Sequence, residues 1–158
     1  MSHNGDKMKL RRMTLLIVAC LLLPLQAFAD SALSNRFSDS ELVRIMKGEG
    51  YGAVKKIDDG SIRVKIDGRT YMLFNQDDGD LQAYYGIGGT SISYRDINSW
   101  NRTKRLSRAY LDSDRDPVLE ADLLANGGLT VENVTEFFKV FVGSVEHFRE
   151  FIIEHDDS

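Results

Sequence analysis

Cysteine and proline are almost missing from this chain. Its 158 residues hold one Cys and two Pro, beside three His and one Trp. The lone Cys20 lies in an apolar run near the start. The rest of the chain therefore has no disulfide framework, no thiol nucleophile and no thiolate metal site. Two prolines beside 13 glycines exclude a collagen and a Pro/Gly-rich disordered chain. Long apolar runs are scarce too, which excludes a polytopic membrane protein. Histidine is too sparse for a catalytic triad, and no Ser sits in a Gly-x-Ser-x-Gly elbow. The segment Gly86-Ile87-Gly88-Gly89-Thr90 lacks the Lys of a phosphate loop and reads as a plain loop. No cofactor is expected.

What is present begins with an address. Lys7, Lys9, Arg11 and Arg12 form a basic region, Met13 to Leu25 is almost unbroken apolar sequence, and Ala27-Phe28-Ala29 presents small residues at the two positions a signal peptidase reads. The pattern predicts a secretory signal peptide over residues 1–29, cleavage after Ala29, and a periplasmic or secreted product. Two other readings fit less well. Met13 to Ala29 is only 17 residues and contains Pro24 and Gln26, which is short for an anchor. Ile17-Val18-Ala19-Cys20 resembles a lipidation site, but Leu21-Leu22-Leu23 continues the apolar run where a polar tether belongs.

Removal of the segment takes four of the 20 basic residues and one of the 24 acidic ones. The remaining 129 residues carry 16 basic and 23 acidic side chains, a net charge of −7. Such a chain is a poor ligand for nucleic acid or anionic lipid, so neither nucleic acid nor, after cleavage, the membrane is expected as a partner. The length suits one domain that folds without staples. Residues 30–37 read as a loose lead-in, 38–155 as the domain and 156–158 as an acidic tail.

Ser38-Asp39-Ser40-Glu41 is a capping box, and Leu42, Ile45 and Met46 fall at helical spacing, which predicts a helix over 39–48. Strands follow at 53–57, at 62–66 where Ile62, Val64 and Ile66 alternate with charge, at 70–74 beyond an Asp67-Gly68 hairpin turn, and at 81–87. A helix over 94–104, capped by Ser93 or Asp96, precedes a hairpin with strands at 106–111 and 118–124 around a polar turn. The last helix runs over 131–154. Val131, Val134, Phe138, Phe141, Val145, Phe148 and Ile152 form its stripe. Thr130 can cap it, but without Glu at the third position the box is incomplete. The order α-ββββ-α-ββ-α predicts an α+β domain, an antiparallel sheet with helices packed on it.

Five constellations could carry chemistry. Asp112-Ser113-Asp114-Arg115-Asp116 opens like a calcium-binding loop but has Pro117 where the turn needs Gly and Leu123 where coordination needs Glu. Asp77, Asp78 and Asp80 could form a cation site of another geometry, although Asp and Gly also simply make turns. His147 and His155 are eight residues apart, too far for one ion. Glu120 and Asp122 share a strand face about 7 Å apart, the least implausible acid–base pair and a spacing that any alternating strand produces. The fifth constellation is aromatic. Tyr71, Phe74, Tyr84 and Tyr85 fall on neighbouring strands and Trp100 on the middle helix. A sheet covered on one side leaves the other side for a partner, so Tyr84, Tyr85 and Trp100 are candidate interaction residues. Phe137, Val140 and Phe151 widen the last helix's stripe beyond one sheet contact. Phe137 and Phe151 join the candidates, facing either a second protomer in a homodimer or the other helices.

Several stretches together are similar to a known family. They are Gly50-Tyr51, Asn98-Ser99-Trp100-Asn101, Arg108-Ala109-Tyr110-Leu111-Asp112, Asp116-Pro117-Val118-Leu119-Glu120-Ala121-Asp122-Leu123 and Gly127-Gly128. The chain resembles the YbjN-like family of bacteria over about residues 38–153. It departs from the family pattern at Arg105-Leu106, where an aromatic is more usual, and at its Asp-Arg-Asp turn. The resemblance implies a fold like that of type III secretion chaperones. It also implies the label of a sensory transduction regulator, which names no settled activity and brings no catalytic residues. The resulting expectation is an exported, non-enzymatic module that binds an unknown protein partner. A cation- or small-ligand-responsive regulator built on the acidic turns is the alternative, and an enzyme the second alternative.

Overall fold

Turn chemistry sets the sheet, and apolar periodicity sets the helices that cover it. The computed structural model describes residues 32–156. Its elements are α1 (Asp39–Gly48), β1 (Ala53–Asp58), β2 (Ser61–Ile66), β3 (Arg69–Asn75), β4 (Leu81–Gly86), α2 (Tyr94–Thr103), β5 (Arg108–Leu111), β6 (Pro117–Leu123) and α3 (Val131–His155). This is the expected α-ββββ-α-ββ-α order and α+β class. The signal peptide expected over residues 1–29 lies outside the described residues.

The strands form one antiparallel sheet in the order β1-β2-β3-β4-β6-β5. The β2–β3 hairpin turns on Asp67 and Gly68, both at positive φ (49° and 78°), the conformation that such a two-residue turn requires. After β4 the chain crosses through α2 to the far edge, lays down β5, and returns with β6 between β5 and β4. Gly60 sits at φ +67, and a Cβ there would stand 2.8 Å from the carbonyl oxygen of Asn75, so the β1–β2 turn is closed against β3.

The sheet's inner face carries Val54, Ile62, Val64, Tyr71, Leu73, Ala83, Tyr85, Leu119 and Ala121, all buried. The last helix lies against it with Val134, Phe138, Phe141, Val145, Phe148 and Ile152 buried, six of the seven positions expected. Val131, in the first turn, is instead 44% exposed. Tyr71 meets Phe138 and Phe141 edge-on at 6.2 and 6.5 Å. Among the described residues no helix is long and apolar enough to cross a membrane.

Four local expectations are corrected. The box at Thr130 is complete, because an amide oxygen serves as well as a carboxylate: Asn133 Oδ1 accepts from Thr130 N at 3.0 Å, and Thr130 Oγ1 accepts from Asn133 N at 3.1 Å. The strand expected from Leu106 starts only at Arg108, since Leu106 lies in the left-handed region (φ 66) and is 71% exposed. The returning strand spans Pro117–Leu123 rather than 118–124, with Pro117 paired to Leu111. Finally, the lead-in is tied down from Ser34. Ser34 and Leu129 exchange two backbone hydrogen bonds of 2.8 Å, and Phe37 is buried.

Candidate functional site

Among the described residues the helices cover one face of the sheet and leave the other open. Strand register places Lys55, Arg63, Met72, Tyr84, Glu120 and Arg108 in one row across all six strands of that open face. Ser61, Phe74, Gln82 and Asp122 form the next row, and Gly86, Val118 and Tyr110 a third. Met72, Phe74, Tyr84 and Tyr110 are half-buried, so apolar and aromatic area remains exposed to water. Phe74 and Tyr84 meet edge-on, 6.1 Å between centroids.

Part of this face is built like a core although none of the described helices packs on it. Val118 is fully buried and Glu120 is 4% exposed. Gly86 makes the space, because a Cβ there would stand 3.2 Å from the Tyr84 hydroxyl. Tyr110 flanks Val118 on the other side, and the Arg108 guanidinium lies 5.7 Å from the Tyr110 ring. Arg108 also pairs with Glu120, whose side chain is 5% exposed while that of Arg108 is 71% exposed. Burial, with added repulsion from Tyr110, Asp112 and Asp116, pushes the Tyr84 phenol up from its usual value, so it remains a hydrogen-bond donor in neutral water.

The candidate residues separate. Tyr84 lies on the open face. Tyr85, its neighbour on the same strand, points inward, is 5% exposed, stacks obliquely on Tyr71 at 5.1 Å and accepts from Arg149 Nη1 at 2.7 Å. Trp100 is 1% exposed and packs on Phe148 and Phe151 at 5.0 and 5.5 Å. Phe151 also stacks on His155 at 4.2 Å, and Phe137 is half-buried against the core. Much of the apolar surplus of α3 is thus covered by α2 and the core within one chain, and only Val140 of the three stays exposed, at 39%. Met72, Tyr110 and the cation pair Lys55/Arg63 are site residues that sequence reasoning passed over. The Asp67-Gly68 turn carried the signal for Met72, because it fixes Arg63 opposite Met72.

The acidic turns spend their carboxylates on backbone. Asp112 Oδ1 accepts from Asp114 N and Asp116 N at 3.0 and 2.9 Å, Asp78 Oδ1 from Asp80 N at 3.1 Å, and Asp80 Oδ1 from Ala125 N at 2.7 Å. Among the described residues no three His, Cys, Asp or Glu side chains are grouped to hold a metal ion. Glu120 and Asp122 are not equivalent either. The first is buried under Arg108, and the second is exposed and accepts from Gln82 Nε2 at 3.1 Å.

A concavity of about 840 Å³ opens at the start of α1, among Arg36, Asp39, Lys56, Asp59 and Asn75. Its Asp39 carboxylate is engaged on all sides. It accepts from Asn75 Nδ2 at 2.7 Å and Gly60 N at 3.0 Å, and pairs with Lys56 Nζ at 2.9 Å. The Asn75 bond, helped by Lys56, holds its pKa down at about 2. This arrangement ties α1 to the sheet and leaves no free base.

Trp100, Asn101 and both strands of the β5–β6 hairpin come from the sequence stretches on which the family resemblance rests, and the architecture is the one that the resemblance implies. A family model matches residues 38–154, well over half of the chain, under the description "YbjN: Putative bacterial sensory transduction regulator". The chain belongs to the YbjN family. No curated protein and no solved structure matches it. YbjN membership gives the chain a regulatory or protein-binding character at the coarse level and adds no residue roles to those the geometry gives.

Proposed function

We propose that this YbjN protein is an exported, non-enzymatic module that binds a polypeptide through the open face of its sheet, in a chaperone-like or regulatory role. One observation carries the reading. Among the described residues the six-stranded sheet has helices on one side only, and the other side presents Met72, Phe74, Tyr84 and Tyr110 together. Such strips on monomers mark contact surfaces, because aromatic side chains supply much apolar area at low entropy cost and keep a polar tip for hydrogen bonding. Export rests on the basic, apolar and small-residue pattern of residues 1–29. The partner's side chains would lie over Phe74 and Tyr84, with the Tyr84 hydroxyl available to donate.

The test is crosslinking in intact cells that express the full chain, with Phe74→Ser and Tyr84→Ser as paired variants and Val140→Ser as the control on α3. The reading predicts an adduct heavier than one chain that both sheet-face variants lose and the control keeps. An adduct indifferent to Phe74 and Tyr84 would remove the open face from the account. Cell fractionation with mass measurement of the amino terminus checks export, the expected first residue being Asp30.

A further inference from the structure

On the open face, beside the apolar strip, three cations stand together. Lys55 on β1 is directly opposite Arg63 on β2, and Lys65 lies two residues along β2 on the same side. Like charges directly opposite one another destabilise a sheet. Among the described residues none of the three forms an ion pair, so the like charges stand opposite one another without a carboxylate between them. Protection of an edge strand accounts for a lysine on β1. It does not account for Arg63, which is half-buried and one strand further in.

We propose that Lys55, Arg63 and Lys65 form an acid-recognising flank of the polypeptide surface, so that the partner is an extended segment with carboxylates over β1–β2 and apolar side chains over Met72 and Phe74. This inference rests on the protein-binding reading and supplies the partner's chemistry. Register makes Arg63 the direct neighbour of Met72, so one strand of partner can reach both. The unpaired cations complement a carboxylate and provide steering and orientation more than raw affinity. A flat anionic lipid surface fits less well. Asp58 and Asp67, in the turns at the two ends of β2, are both exposed beside the cations and would be repelled by such a surface.

The experiment uses protein purified after expression of the full chain. Fluorescence anisotropy follows a short labelled peptide that alternates Glu with Leu and Phe, a matched peptide with Lys for Glu, and competition by phosphatidylglycerol vesicles. The Glu peptide binds, the Lys peptide does not, and affinity falls as salt rises. Lys55→Glu weakens the Glu peptide at least about tenfold, as loss of a close charge contact would, and leaves Tm equal or higher because Glu would face Arg63. Equal affinity in Lys55→Glu, or preference for the vesicles, overturns the proposal. If the Phe74-dependent adduct in cells persists while Lys55→Glu binds the Glu peptide normally, this inference alone fails. If the adduct does not depend on Phe74, the protein-binding reading fails with it.

Discussion

Asp39 shows what one side chain does for this fold. Its carboxylate joins the first turn of α1 to Asn75 on β3, to the β1–β2 turn and to Lys56. Its pKa, about 2 when folded, lies below the ordinary value of 3.8, so its contribution is complete above about pH 4 and is lost as the pH falls toward 2. The side chain is only 14% exposed. Asp39→Asn is therefore expected to cost about 2 kcal/mol at neutral pH and to flatten the acid limb, measurable by urea unfolding at pH 7 and pH 3. Trp100→Ala is expected to cost about 3–5 kcal/mol, as truncation of a large buried aromatic does, in the same assay. Leu106 stands at the other extreme, exposed and at positive φ. Leu106→Gly should raise stability by up to about 1 kcal/mol. At this scale the sequence was only half legible. Tyr84 and Tyr85 look equally suited to a binding face, yet consecutive strand residues point to opposite sides, and only the sheet's register says which faces water. Trp100 falls one helical turn after Ile97, but that spacing alone does not separate a core indole from one at a binding face.

The elements were more legible where their signals are local. Ser38 with Glu41, the alternation at Ile62, Val64 and Ile66, the Asp67-Gly68 turn and the stripe of α3 each sit within a few residues of the structure they specify. The start of β5 and the position of β6 between β4 and β5 depend on partners far along the chain. No window of sequence contains them. The β5 edge of the sheet illustrates a partner from another element. Asn101 on α2 seals the β5 edge, donating to the Ala109 carbonyl at 2.9 Å and accepting from the Ala109 N–H at 2.8 Å. Asn101→Ala should leave two edge groups unsatisfied and cost about 1–3 kcal/mol, read as a drop in Tm. Thr130→Ala removes the cap of α3 and should cost about 1 kcal/mol, with the loss visible as faster amide exchange in the first turn of α3.

For the whole molecule, the one-sided sheet is the feature from which the functional reading grows. Helix order and apolar stripe pointed to it, but the open face could not be populated until register aligned Met72 with Tyr84 and Lys55 with Arg63. The same packing turned Tyr85, Trp100 and Phe151 from candidate contacts into core or core margin. Variants at those positions report on stability, whereas variants at Phe74 and Tyr84 test the proposed binding. The most direct measurement places a photocrosslinking side chain at Phe74 on the open face and, separately, at Glu136 on the solvent side of α3, in cells making the full chain. The account predicts a polypeptide adduct from position 74 and none from 136. Adducts from 136 alone, or from neither position, would contradict the claim that the bare face of the sheet is where this protein meets its partner.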